Sequence, residues 1–124
     1  MLGDANVQPM LPVKDLKKAE KFYEEVLGLK RLHEEPDTAV TYKSGNATLN
    51  VYRSEFAGTN KGTAALWELD DVEGTVQQLK ARGVTFEHYD LPGAKLEGDV
   101  HVMGAFKSAW FKDPDGNIIA LMSG

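Results

Sequence analysis

The feature that most constrains this fold is an internal repeat. One copy opens at Val13-Lys14-Asp15-Leu16 and reaches Gly28, and a second opens at Leu69-Asp70-Asp71-Val72 and reaches Gly83. Asp15 precedes Gly28 by 13 positions and Asp71 precedes Gly83 by 12, so the two copies match within one residue. Two copies are too few for a solenoid, which needs at least three stacked repeats. The repeat therefore predicts a domain built from two similar halves.

Each copy carries one predicted helix. The carboxylates of Asp15 and Asp71 suit the first turn of a helix, where backbone N–H groups lack partners. Gly28 and Gly83 suit a helix end, where a left-handed residue is common. Apolar residues recur at helical spacing in both copies: Leu16, Ala19, Phe22, Tyr23, Val26 and Leu27 in the first, and Val72, Val76 and Leu79 in the second.

The other segments predict strands, bounded by turn residues. In the first copy these are residues 7–13, 30–34, 39–43 and 47–53, and in the second 64–69, 85–89, 108–112 and 118–122. Each copy thus reads strand–helix–strand–strand–strand. Residues 88–107 show little periodicity, and a loop of this length in a compact domain is usually functional or mobile. We expect it to lie over the mouth of a ligand cavity.

Composition narrows the functional classes. Fourteen Lys and Arg against 19 Asp and Glu give a net charge of −5, which argues against a nucleic-acid partner. The chain has no cysteine, so disulfides, thiolate metal sites and cysteine nucleophiles are excluded. The first residues lack the pattern of a signal peptide, and no apolar run is long enough to span a bilayer. We expect a cytoplasmic protein with no membrane partner.

At three places the sequence resembles the vicinal oxygen chelate superfamily, which holds glyoxalases, bleomycin-resistance proteins and extradiol dioxygenases. These are residues 13–16 leading to Phe22-Tyr23-Glu24-Glu25-Val26-Leu27-Gly28-Leu29, residues 68–72 leading to Leu79-Lys80-Ala81-Arg82-Gly83-Val84, and Trp110-Phe111-Lys112-Asp113-Pro114-Asp115-Gly116-Asn117. The resemblance covers nearly the whole chain. It implies an α+β fold in which two βαβββ modules form a curled mixed sheet, or cup, with the helices outside. It implies one domain over residues 1–124, with modules at about 5–58 and 62–124.

Enzymes of this superfamily usually hold a divalent metal in the cup. The resemblance places the four ligand positions at Gln8, Asn50, Ala64 and Ala120. Alanine cannot ligate, and one Gln with one Asn supplies neither negative charge nor imidazole. We therefore expect no metal and no other cofactor, as in the metal-free branch of the family.

The fold that the resemblance implies also predicts the ligand-facing residues. Every second side chain of a strand shares a face. Two residues of the long loop, His101 and Met103, are added to those of the strands. The candidate ligand-binding residues are then Gln8, Met10, Asn50, Tyr52, Leu66, Glu68, His101, Met103, Trp110 and Met122. Such a mixture of apolar, aromatic and polar groups is typical of a small-molecule pocket, and Tyr52 and Trp110 are suited to stack on a planar or amphipathic ligand. Trp67 falls on the opposite face and is expected in the core.

Two other functions compete with sequestration of a small molecule. The first is a lyase or isomerase of the same superfamily that uses Glu68 or His101 as base, with no metal or with a displaced one. The second is a structural or regulatory dimer whose cavity has collapsed. In each case the family resemblance and the open sheet edges of a βαβββ half predict a homodimer.

Overall fold

The computed structural model describes residues 1–124, which form two compact units, Met1–Thr59 and Asn60–Gly124. The first unit opens with a short 3₁₀ helix, Leu2–Asp4. Its other elements are β1 (Met10–Val13), α1 (Leu16–Lys21), a π-helical segment (Phe22–Val26), β2 (Lys30–Glu35), β3 (Ala39–Ser44) and β4 (Ala47–Arg53). Its sheet has the order β1-β4-β3-β2, with β1 parallel to β4 and the other pairs antiparallel.

The second unit repeats this plan with an extra hairpin. Its elements are β5 (Thr63–Glu68), α2 (Val72–Ala81), β6 (Phe86–Glu87), β7 (Lys95–Glu97), β8 (Val100–Met103), β9 (Phe106–Lys112) and β10 (Ile118–Ser123). Its sheet has the order β5-β10-β9-β8-β7, with β6 paired to β9. The first strand, β5, is parallel to the last, β10, as β1 is to β4. The expected α+β fold with duplicated βαβββ modules is confirmed.

Both helices begin at the predicted aspartates. Asp15 Oδ1 accepts a hydrogen bond from Lys18 N at 3.1 Å, and Asp71 Oδ1 accepts one from Gly74 N at 2.9 Å. The chain leaves the helices in a left-handed conformation, with φ of 75° at Gly28 and 93° at Gly83. The first helix differs from the prediction in one respect. Its last turn widens, so that Leu27 N donates to Phe22 O, five residues back.

The core of the first unit lies between α1 and one face of its sheet. Leu11, Val51 and Tyr23 are fully buried there. The Tyr23 and Tyr42 rings stack with their centroids 6.0 Å apart. The Tyr42 hydroxyl donates to Glu24 Oε2 at 2.9 Å, and the same carboxylate pairs with Arg31. Burial, followed by this hydrogen bond, raises the pKa of Tyr42 well above its ordinary value.

The core of the second unit lies between α2 and one face of its sheet. Val72, Val76 and Leu79 are buried on the helix, and Phe111, Ile119 and Leu121 are buried on the strands. Trp67 is in register with Leu121, so it lies on the helix-facing side as predicted, although it is only half-buried.

The expectation of an irregular loop over residues 88–107 is wrong for residues 95–107, whereas residues 88–94 form neither helix nor strand. Residues 95–97 and 100–103 form the β7–β8 hairpin, and residues 106 and 107 belong to β9. His101 is paired with Ser108, so this hairpin extends the sheet of the second unit. Its place over a cavity mouth stays a prediction. The predicted strand 85–89 is shorter, because β6 ends at Glu87. Neither helix is long and apolar enough to cross a membrane.

Candidate functional site

The first unit leaves one face of its sheet without a covering helix, here called the first open face. Strand alternation fixes its members, since Leu11 and Val51 are buried under α1 and their neighbours point to the other side. Met10 is in register with Asn50, and Pro12 is in register with Tyr52. The side chain of Met10 is 53% exposed. The predicted ligand residues Met10, Asn50 and Tyr52 therefore share one accessible face.

A chain of hydrogen bonds crosses the first open face. Thr41 Oγ1 donates to Asn50 Oδ1 at 2.7 Å, and Asn50 Nδ2 donates to Gln8 Oε1 at 2.9 Å. The same Asn50 nitrogen lies 3.4 Å from the carbonyl oxygen of Pro9. Gln8 precedes β1 and is exposed, whereas Asn50 is half-buried. The structure thus brings together two of the four family metal positions, Gln8 and Asn50, as one bonded amide pair.

Thr41 is a member of this site that the sequence prediction does not include. It is the Cα partner of Asn50 across the β3–β4 hairpin, whose two-residue turn joins Ser44 to Ala47. Counting outward from that turn pairs residue 41 with residue 50. The sequence signal is therefore present in the hairpin length.

The second unit also has one sheet face without a covering helix, here called the second open face. One row across it is formed by Glu68, Met122, Ser108 and His101, and the next by Leu66, Ala120 and Trp110. Leu66 is 54% exposed and Met103 is 45% exposed, whereas Ala120, Ser108 and Trp110 on the strands between them are buried. The predicted ligand residues of this unit do share a face.

An aromatic corner lies at one end of the second open face and is defined by Tyr89, His101 and Trp110. The His101 and Trp110 rings meet edge to face at 5.0 Å, and the Tyr89 ring meets Trp110 at 5.3 Å. Trp110 Nε1 donates to Thr63 Oγ1 at 3.2 Å. Trp110 is 9% exposed, so it forms the floor of the corner while the partly exposed Tyr89 forms its rim. The sequence prediction misses Tyr89 as a site residue, since its contact with position 101 depends on the β7–β8 hairpin.

His101 is held by the backbone of Tyr89. Its Nε2 lies 2.9 Å from Tyr89 N and 3.1 Å from Tyr89 O, and the shorter contact is a hydrogen bond that this nitrogen accepts in the neutral ring. Its Nδ1 is buried and has no hydrogen-bond partner. His101 is 2% exposed, so its ring contributes shape to the corner and reaches solvent only if neighbouring groups move.

The two candidate bases, Glu68 and His101, do not form a catalytic pair. They stand at opposite ends of one row, separated by the intervening strands β10 and β9. Strand spacing places their Cα positions roughly 14 Å apart, about three strand spacings. That distance is too long for the two groups to share a proton directly.

A second histidine, His88, belongs to an ion-pair network at the β7–β8 turn. His88 Nε2 lies 2.7 Å from Asp99 Oδ1, and Lys80 Nζ of α2 lies 2.7 Å from Asp99 Oδ2. The bond from Lys80 and then that from His88 hold the pKa of Asp99 below its ordinary value. This network joins the β7–β8 turn to α2 and to the residue that follows β6.

The chain belongs to the Glyoxalase/Bleomycin resistance protein/Dioxygenase superfamily, whose family model matches residues 7–121. It is 32% identical to a protein of Vibrio cholerae described as a probable lactoylglutathione lyase, over 91% of this chain and 86% of that protein.

Solved structures agree with this assignment. TnmS3, an antibiotic-binding protein from Streptomyces sp. CB03234, is 26% identical, with 96% of this chain and 95% of that one covered at a TM-score of 0.68. Lactoylglutathione lyase from Agrobacterium tumefaciens is 21% identical, with 98% and 94% covered at a TM-score of 0.73, and this likeness shows the fold alone.

The residues at the family metal positions do not fit a metal. The oxygen of Gln8 accepts from Asn50, and the oxygen of Asn50 accepts from Thr41, so each of these neutral amide oxygens already accepts one hydrogen bond. Ala64 and Ala120 offer only methyl groups. No group of three or more His, Asp or Glu side chains is placed to hold an ion elsewhere in the chain. A tight divalent site needs several deprotonated or imidazole ligands that converge, which these positions do not supply.

Proposed function

We propose that this chain is a small-molecule-binding protein that takes up an aromatic or amphipathic ligand without a metal ion. The observation that carries the proposal is the state of the four family metal positions. Two are alanines, and the other two are amides that bond to each other. Chemistry that depends on a resident metal has no ligand set at these positions, whereas binding needs only shape, apolar area and a few polar groups.

The open faces support the same proposal. The first presents Met10 and Tyr52 beside an amide pair, and the second presents Leu66 and Met103 beside an aromatic corner. Exposed apolar side chains next to a few fixed polar groups suit a planar ligand with polar substituents. The likeness to an antibiotic-binding protein along nearly the whole chain is consistent with this role.

A lyase is the second candidate, and one observation favours it. The Vibrio cholerae protein described as a probable lactoylglutathione lyase is more similar in sequence to this chain than TnmS3 is, at 32% against 26% identity. In this chain such a reaction would have to proceed from Glu68 or His101 singly. Glu68 is exposed, and His101 is buried beside Tyr89.

The experiment combines thermal unfolding with elemental analysis. We expect Ni²⁺, Zn²⁺ and Fe²⁺ to leave the melting temperature unchanged within about 1 °C, since a ligand stabilises a protein only through affinity for its folded state. Amphipathic arenes should raise it in a concentration-dependent way. Metal at one equivalent per chain in the purified protein, or turnover of lactoylglutathione that depends on added metal, would contradict the proposal.

We also propose that the binding form is a homodimer. The support is the family and the open outer strand β5, whose unpaired backbone groups can be covered by a second copy.

A further inference from the structure

We propose that the side-chain nitrogen of Gln8 is a fixed hydrogen-bond donor for an acceptor oxygen of the ligand, such as a carboxylate, sulfonate or carbonyl oxygen. This inference rests on the proposed function and names the ligand chemistry that the first open face selects. It follows from the direction of the hydrogen bonds that join Gln8 to Asn50.

The carbonyl of Pro9 fixes which way the Asn50 amide points. A hydroxyl such as that of Thr41 can donate or accept, so it would tolerate either orientation of the amide. A carbonyl oxygen only accepts, and that of Pro9 lies 3.4 Å from the Asn50 nitrogen while it also accepts the Asn50 backbone N–H at 3.0 Å. A flipped amide would lose this hydrogen bond and place the Asn50 side-chain oxygen next to the Pro9 carbonyl oxygen. Asn50 Nδ2 is therefore the donor on this side.

The Asn50 donor in turn fixes Gln8. The atom that lies 2.9 Å from Asn50 Nδ2 must be an acceptor, and in Gln8 this is Oε1. The Gln8 nitrogen then lies on the other arm of the same planar group, with two N–H donors and no hydrogen bond within the protein. Gln8 is exposed, so a ligand can reach this nitrogen.

Gln8 therefore offers a hydrogen-bond donor at a position where a metal site would offer acceptors. A metal site would present lone pairs, but each amide oxygen already accepts one hydrogen bond, from Asn50 or from Thr41, and the group left without a partner in the protein is the Gln8 NH₂. Met10 is exposed on the same face, and Tyr52 is half-buried there. This surface suits a flat apolar body that carries an oxygen acceptor. Thr41 is a positioning residue, since it acts on the ligand only through Asn50 and Gln8.

The test uses two fluorescent probes with the same aryl frame. Anilinonaphthalene sulfonate carries an acceptor group, and anilinonaphthalene lacks it. Gln8→Met keeps the length of the side chain but removes the N–H donors. We expect it to weaken sulfonate binding about tenfold, the usual effect of losing one hydrogen bond to a charged group, and to change anilinonaphthalene binding less than about twofold. Gln8→Glu, which replaces the donor by a negative acceptor, should weaken the sulfonate further.

Two further variants make the test specific. Gln77→Met makes the same change on an exposed residue of α2 and should leave both probes unaffected. Thr41→Val should weaken the sulfonate about threefold in the native background and have no effect in the Gln8→Met background, because its effect passes through Gln8.

The outcomes separate the two proposals. If the native protein binds both probes but Gln8→Met changes neither, or weakens both equally, the donor assignment is wrong and the binding function stands. If the native protein binds neither probe, the proposed function is contradicted and the donor assignment is lost with it.

Discussion

Replacement of Tyr42 by phenylalanine would remove a single hydroxyl from the core of the first unit. The ring of Tyr42 is fully buried and stacks on Tyr23, and its hydroxyl donates to Glu24 Oε2 at 2.9 Å. Phenylalanine keeps the ring and its stacking. The Glu24 carboxylate keeps its ion pair with Arg31, so the substitution leaves no buried charge without a partner.

The magnitude follows from these contacts. A hydrogen bond to a charged group contributes about 1.5–3 kcal/mol to stability. Glu24 is 32% exposed and retains Arg31, so water and the guanidinium offset part of the loss. We therefore expect Tyr42→Phe to lower the free energy of unfolding by about 1–1.5 kcal/mol at neutral pH.

The pH dependence gives an independent check. Because the pKa of Tyr42 is raised above 10.0 in the folded state, the folded protein keeps this proton where the unfolded chain loses it. The stability that Tyr42 contributes is thus complete below pH 10 and declines as the pH rises above that value. The stability difference between the native protein and Tyr42→Phe should shrink above pH 10.

The assay must report on the first unit. Both tryptophans, Trp67 and Trp110, lie in the second unit, so urea unfolding should be followed by far-ultraviolet circular dichroism. Tyr52→Phe is the matched control, since the Tyr52 hydroxyl has no hydrogen bond in the protein, and we expect a change below about 0.5 kcal/mol. Equal losses in the two variants, or a difference that stays constant above pH 10, would refute the reasoning.

Three other predictions concern the second unit and the assembly. Asp99→Asn removes the partner of Lys80 and His88 and should lower the free energy of unfolding by about 1 kcal/mol at pH 7 in urea titrations. This loss should vanish as the pH falls below 3.8, because the native carboxylate is then protonated. Asp90→Asn, which changes a nearby exposed carboxylate, should cost little in the same titrations. Asp71→Ala removes the cap of α2 and should lower stability by about 1 kcal/mol in thermal unfolding, and an unchanged melting temperature would contradict the capping role. Light scattering should detect a homodimer, and a 13.6 kDa species alone at micromolar concentration would exclude it.

The elements whose pattern is local were predictable from the sequence. The two helices and the strands β3 and β4 were found because caps, glycines and alternation lie within each segment. The β7–β8 hairpin was missed, since its strands have only three and four residues and depend on pairing with β9. Widening of the first helix after Lys21 likewise has no local pattern that distinguishes it.

The candidate site was predictable to a similar extent. Strand alternation, counted from the ligand positions that the family resemblance implies, placed Met10, Asn50 and Tyr52 on one face, which the register of β1 and β4 reproduces. The direction of the Gln8–Asn50 bond was not predictable, because it is set by a backbone carbonyl that no sequence pattern identifies. Whether these residues contact a ligand stays a prediction.

The outer strands of the two sheets differ in how they resist the addition of another strand. β2 is almost entirely charged or exposed, β7 carries Lys95 and Glu97 on either side of its one leucine, and β1 contains Pro12, which lacks an N–H donor. The middle of β5 is Ala64 to Trp67, with neither charge nor proline. Strand addition, in ordered assembly or in aggregation, is therefore least opposed at β5.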